Sequence, residues 1–544
     1  MAGGDFTISG NALMQNNTSS NGGAVYLVGT GKFKVNGGTI KENTVSSNGG
    51  AIYLDGGSFA MTNGTLSNNK GIAGGAVYMA GGGFTISGGS ISNSEATTGG
   101  AVYMAGGTFS ISGTALMQNN TATNGGAVYL AETGTFNVNG GTIKENEVSG
   151  NGGAIYLNNG TFTMNAGQVE TNTSTAGDGA GIYIVTGTVE VTGGEVSGNI
   201  AANGKGGGFY VSGGTVTLSN GTIASNKASK AGGGIYLDNA EVTVNGCTLT
   251  ENEVTAGNGG GIFLSNRAKM TYNGGQLTFN KAKGTGNFST AYQNNGDNIK
   301  GVGGGIYIST GSSLTFGEFA SLGVYANSAD MAADDLFANG QDTRLVVPNV
   351  KDMSLDNYAG NAAGLGWYED YFVGDSEYTV SNNGHVAKGS SYESFDDRFR
   401  NAQKKGEEYM REYKFESNGT IAFENTYVAF ALGFLFSDLT IKVKGLKPGE
   451  SCVFSVSGTA ENGKYKYQVP VYGTNAEYDV RKIIKLPVDK YTVELMNVWP
   501  WAYDWPNVST MTKMNSEDGG VYQFTIEHKS SSIVHDEEHN AKKL

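Results

Sequence analysis

Two arrangements would give this chain chemistry of its own on a carbohydrate: a carboxylate pair for general acid and base work, or clustered acids holding calcium beside an Arg or Lys base. Residues 1–320 show neither, since they contain no histidine, a single arginine (Arg267) and only scattered acids. Asp55, Asp178 and Asp238 share no repeat position with a partner acid one repeat away. Asp334 and Asp335 are adjacent, but neighbours along a strand point to opposite faces, and no third ligand accompanies them. No catalytic, cofactor-binding or metal-ligating set is therefore expected, and the chain reads as non-enzymatic. The remaining stretch with recognition character is Trp499-Pro500-Trp501-Ala502-Tyr503-Asp504-Trp505. Trp499, Trp501, Tyr503 and Trp505 give large contact area at low entropy cost, and they either meet a sugar or partner or pack within their own domain.

The rest of the chain is organised by repetition. Gly22-Gly23-Ala24-Val25-Tyr26-Leu27 returns five times almost unchanged up to Leu157, and looser copies carry aromatics at Tyr183, Tyr210, Tyr236, Phe263 and Tyr307. The aromatics are 25 to 27 residues apart, except for a 44-residue step before Tyr307 that marks an insertion at 281–301. A period in this range signals a solenoid. A second anchor alternates apolar residues before a small-residue turn, as in Phe33-x-Val35 and Phe136-x-Val138. A third sets an aliphatic residue three places before Asn, as in Leu13/Asn16, Ile40/Asn43, Leu116/Asn119 and Ile143/Asn146, with Ser94 breaking the series.

Each anchor is too short for a helix and alternates like a half-buried strand. Three strands per turn describe a parallel β-helix of about 11–12 rungs at about 4.8 Å each, with Val25 over Ile52 over Val77. The recurrent Asn has two readings: it tolerates the left-handed backbone of a tight turn, or it forms an internal amide ladder. The outward position of the second anchor runs Lys34, Ala60, Thr85, Ser110, Asn137, Thr163, Glu190, Thr217, Thr243, Thr271. Lys34 and Glu190 spoil the flat threonine rank that ice binding needs.

The Gly-Gly-Ala-Ile-Tyr phrase with its following Asn motif resembles the repeats of polymorphic outer-membrane-protein adhesins, known for GGAI and FxxN signatures, over roughly residues 1–340. Here the FxxN slot is mostly filled by Ile, Leu or Val. The resemblance implies a right-handed, pectin-lyase-like parallel β-helix in a bacterial adhesin at the cell surface or secreted, with a glycan or host surface protein as partner. The same scaffold carries polysaccharide lyases and hydrolases, so a degrading enzyme or a degenerate relative is the alternative.

Composition shifts near residue 345. All six prolines lie at or after Pro348, and all four Trp and all four His lie beyond it. We therefore expect a β-helix over 1–345, a cap or connector over 346–425 with a short helix at Ser394–Tyr413, an immunoglobulin-like β-sandwich over 426–532 and a tail over 533–544. Leu486-Pro487-Val488-Asp489-Lys490-Tyr491-Thr492-Val493-Glu494 resembles the collagen-adhesin B-type or prealbumin-like stalk modules of bacterial surface proteins. The formal charge of −14 argues against nucleic acid. Cys247 and Cys452 fall in different expected domains and are not expected to pair. No apolar run is long enough to span a bilayer. Residues 1–10 match 104–113, which places Met1 inside a rung, so upstream repeats and a signal peptide are expected to be missing from this chain.

Overall fold

The computed structural model describes residues 1–284, 300–317, parts of 323–348 and, farther along, strand segments between 366 and 528. Among the described residues every regular element longer than a turn is a strand. One level of the repeat runs through Val102–Met104, Thr108–Ile111, Leu116–Gln118 and the two-residue strand Thr121–Ala122. Each strand pairs in parallel with its equivalents one repeat earlier and later, so Tyr103 lies between Tyr78 and Tyr129, and Phe109 between Phe84 and Phe136. Twelve first strands, from Val25 to Leu336, stack in this way into a right-handed parallel β-helix.

Alternation decides which side faces in. Val102 and Met104 are buried while Tyr103 between them is half-buried, and Phe109 and Ile111 are buried on the next strand. The inward phenylalanines stack face to face from Phe6 to Phe136, with ring centroids 4.6 Å apart for Phe84 and Phe109, and Phe162 tilts against Phe136. After Phe162 this column continues as Val189, Val216 and Val242, and bulk appears elsewhere inside, at Phe209 and Tyr272. The Gly-Gly corner has a separate reason for each residue. Gly152 has φ +67°, a left-handed backbone, and a Cβ on Gly153 would sit 2.3 Å from the Ala180 carbonyl oxygen of the next level.

The recurrent Asn is a ladder. The Asn146 backbone N–H and Nδ2 both donate to Asn172 Oδ1, at 3.0 and 2.9 Å, and Asn172 donates in the same way to Asn199. The series runs without a gap from Asn120 to Asn327 and ends on the buried Asp335 carboxylate, which accepts from Asn327 N and Nδ2. The left-handed residue is the one before each ladder amide: Glu42, Asn68, Glu145, Thr171, Ser225, Glu251 and Phe279 all have φ between 53° and 58°. This corrects the register of two copies. Asn16 and Asn119 are the left-handed residues, Asn17 and Asn120 join the ladder, and Met14 and Met117 rather than Leu13 and Leu116 take the inward position.

The C-terminal end of the stack is closed by a change of direction. Leu336–Ala338 and Arg344–Pro348 pair in parallel with the preceding level and antiparallel with Val428–Gly433 and Thr420–Glu424, which occupies an edge otherwise open to other strands. These strands belong to one compact unit made of Met1–Asn349, Glu369–Asp375 and Ala402–Leu432. A second unit contains Gly433–Leu544. In it, Phe436–Lys444 lies between Asp479–Pro487 and Gly520–Thr525, and Ser451–Gly458 lies between Lys466–Tyr472 and Lys490–Trp499. The helix expected at Ser394–Tyr413 and the tail at 533–544 lie outside the described residues, except that Tyr413 opens the strand Tyr413–Phe415.

Three substitutions test this interior. Replacing Ser94 by Asn completes the ladder and is expected to raise the urea midpoint, by about 1 kcal/mol of stability. Asn199→Ala strands the buried Asn172 N–H and Nδ2 donors and takes one donor from the Asn226 and Val169 oxygens, and is expected to lower stability by about 2 kcal/mol. The Tyr272 hydroxyl is buried without a hydrogen-bond partner, so Tyr272→Phe should leave the midpoint unchanged or higher; a clear fall would show that the hydroxyl has a partner.

Candidate functional site

The outward residues of the second strand form two columns. The first holds five threonines on consecutive levels, Thr108, Thr135, Thr161, Thr188 and Thr215, held in register by the inter-level pairing. The second runs Ser110, Asn137, Thr163, Glu190 and Thr217 on the same levels. Sequence reading followed only the second column. The first was equally visible two residues upstream in each repeat.

Past the second strand the chain turns through small residues, and the wall becomes concave. A groove of about 940 Å³ crosses five levels, from Gly113 to Thr222. Its wall is the outward column of the third strand, where Leu116, Thr142, Gln168, Glu195 and Thr222 succeed one another in register. Its floor is glycine backbone, because a Cβ on Gly141 or Gly167 would lie 2.7 or 2.8 Å from a carbonyl oxygen of the level before. Lys144 and Glu170 line it as well, and Lys144 Nζ is 3.4 Å from Glu145 Oε1.

Glu170 and Glu195 therefore share one depression. They escaped the search for acids in equal repeat positions because Glu195 is paired with Gln168, two residues before Glu170. Their relation is a diagonal one across neighbouring parallel strands.

The tyrosine column lies on the neighbouring face. Tyr26, Tyr53, Tyr78, Tyr103, Tyr129, Tyr156, Tyr183, Tyr210 and Tyr236 stack with centroids 4.6 to 5.3 Å apart. Ring faces within the column cover one another, so a ligand alongside would meet edges and hydroxyls. Tyr210 Oη donates to Asp238 Oδ2 at 2.7 Å, and Lys205 Nζ donates to Tyr236 Oη at 2.9 Å while lying over the same ring. Burial first, and then the neighbouring tyrosine, raises the phenol pKa of Tyr78, Tyr103, Tyr129 and Tyr156; at Tyr210 burial is followed by the Asp238 bond.

The other sequence candidates separate. Trp499 ends the strand Lys490–Trp499, Tyr503 opens the strand Tyr503–Asp504, and Trp501 and Trp505 lie outside the described residues. Asp335 is the buried end of the amide ladder. Cys247 stands among the glycines of the turn, its Sγ 2.9 Å from the Asn220 carbonyl oxygen, and burial pushes its thiol up to about 12. Within the insertion, residues 285–299 lie outside the described ones. Among the described residues, three or more His, Cys, Asp or Glu nowhere gather as a metal site would need, and no helix is long and apolar enough to cross a membrane.

Two solution tests follow. A phenol whose folded pKa exceeds the unfolded value of about 10 keeps its proton longer in the fold, so the unfolded chain binds fewer protons and stability falls as pH rises from about 10. With 28 tyrosines in the chain, tyrosinate absorbance is expected to rise in two steps, the later one together with loss of the β-sheet dichroism; completion of the whole rise in the intact fold would contradict this. At pH 8 the Cys247 thiol should resist a maleimide until denaturant is added, as mapped by mass spectrometry.

Comparison with known proteins agrees with the geometry at the level of fold. No curated protein and no solved structure matches the chain. Residues 24–193, which hold seven of the tyrosine-bearing levels, match the family described as right handed beta helix region.

Proposed function

We propose that this protein is a non-catalytic adhesin, secreted or displayed on a bacterial surface, whose β-helix presents a repetitive lateral face to glycans or to a partner surface. The observation that carries the reading is the registered pair of outward columns, Thr108 to Thr215 and Ser110 to Thr217, beside a groove five levels long. A hydroxyl or amide recurring at every level offers one weak hydrogen bond per level to a repeating ligand, and such bonds accumulate along its length. Rigidity favours such binding, because the face is part of the paired sheet and loses little freedom when a ligand settles on it. In this reading the strands of the second unit form an immunoglobulin-like stalk, and Trp499, Trp501, Tyr503 and Trp505 are a second candidate contact within it.

The competing reading is a polysaccharide lyase or hydrolase, or a degenerate relative, and the observation in its favour is the shared groove of Glu170 and Glu195. Two measurements on the full chain separate the readings. Attachment of fluorescent protein to epithelial cells and mucin-coated surfaces, with no reducing-sugar release from polyuronates, xylan or glucans, is the expected outcome. Absence of attachment to every surface sinks adhesion, and sugar release that Glu195→Gln abolishes assigns an enzyme instead.

A further inference from the structure

We infer that the groove between the second and third strands is a binding site for a linear, uncharged β-1,4-linked glycan, laid along the stack with one pyranose unit per level. The inference rests on the lateral-face reading and names its ligand class and location.

Spacing carries the first part of the argument. The wall repeats every level, about 4.8 Å, a little less than the advance of one β-1,4-linked pyranose unit. A short oligosaccharide therefore stays close to step over the five levels while its successive units turn alternate edges to the wall. A ligand of that step meets Thr142, Gln168, Glu195 and Thr222 in turn, each of them at least partly exposed. An extended peptide advances about 3.3 Å per residue and falls out of step within two levels.

Hydrogen bonding carries the second. A peptide that adds to a sheet needs free backbone groups, and those along this wall are engaged: Leu116 N donates to Gly89 O at 3.0 Å, Thr142 N to Ala115 O at 2.9 Å and Thr222 N to Gly194 O at 2.9 Å. What the wall offers is side-chain hydroxyl, amide and carboxylate, groups that bond a sugar's equatorial hydroxyls.

Charge and shape carry the third. Lys144 and the two glutamates leave the groove with a small net negative charge, which disfavours polyuronates and sulfated glycans. The glycine floor, bare because side chains there would strike the level before, leaves room for a ring to lie against the wall.

The test is calorimetric titration of the full chain with cello-oligosaccharides and xylo-oligosaccharides of two to six units. Affinity is expected to climb with length and level off near five units. Gln168→Ala and Thr142→Val should each weaken the longest ligand by about tenfold, the loss of one hydrogen bond, while Lys70→Ala, in the exposed ion pair with Glu95, should leave binding unchanged. Circular dichroism of each variant keeps a folding defect from imitating a binding defect. Binding that ignores chain length, or that survives Gln168→Ala together with Thr142→Val, overturns the groove as the site. Cell attachment without affinity for any of these oligosaccharides overturns the ligand class and leaves the adhesin reading standing; loss of attachment as well removes both. Tighter binding of polyuronates than of neutral chains also contradicts the proposal.

Discussion

Every level of this solenoid must repeat the level below it at the same height, and the buried amide ladder is where that demand is strictest. An amide at 0% exposure that failed to meet its neighbour would leave donors and an acceptor without water, and the penalty for each is of the order of 1–3 kcal/mol. A slip of one residue would also turn every inward side chain outward. The ladder therefore fixes register for the strands around it. Because its amides all donate toward the C-terminal end, their dipoles add, and the Asp335 carboxylate accepts at the end where donors would otherwise stand unpaired.

From that register the outside follows. The pairing that puts Phe84 over Phe109 inside puts Thr135 beside Thr161 and Gln168 beside Glu195 outside. Residues 25 to 28 apart in the chain become neighbours, so a surface of this kind is written once per repeat and read along the stack. The same geometry limits what it can do. Tyrosine faces are spent on one another, and the thiol of Cys247 is enclosed. Edges, hydroxyls and amides remain, which suits recognition of something long and repetitive.

Much of this was legible in the sequence. The alternation around Tyr26, Tyr53 and Tyr78 gave the strands, and the fixed interval gave their parallel stacking. Two doubled asparagines, Asn16-Asn17 and Asn119-Asn120, hid the ladder register, because either residue satisfies the spacing and only the backbone shows which of the pair is left-handed. The groove was not legible, since its lining is gathered from five levels and no single repeat shows it. Glu170 and Glu195 meet there diagonally, a relation that comparing equal repeat positions passes over. The strands that close the stack, Thr420–Glu424 and Val428–Gly433, carry no repeat and lie more than 70 residues beyond the edges they cover.

The claim beneath all of this is that residues one repeat apart stand side by side on the outer wall. A pair of engineered cysteines tests it most directly. Thr161→Cys with Thr188→Cys, neighbours across one level, should oxidise to a disulfide in the folded protein, while Thr161→Cys with Thr215→Cys, separated by an intervening level, should stay reduced under the same oxidant. Peptide mapping that found the second pair joined, or neither, would contradict the stacking on which the account rests.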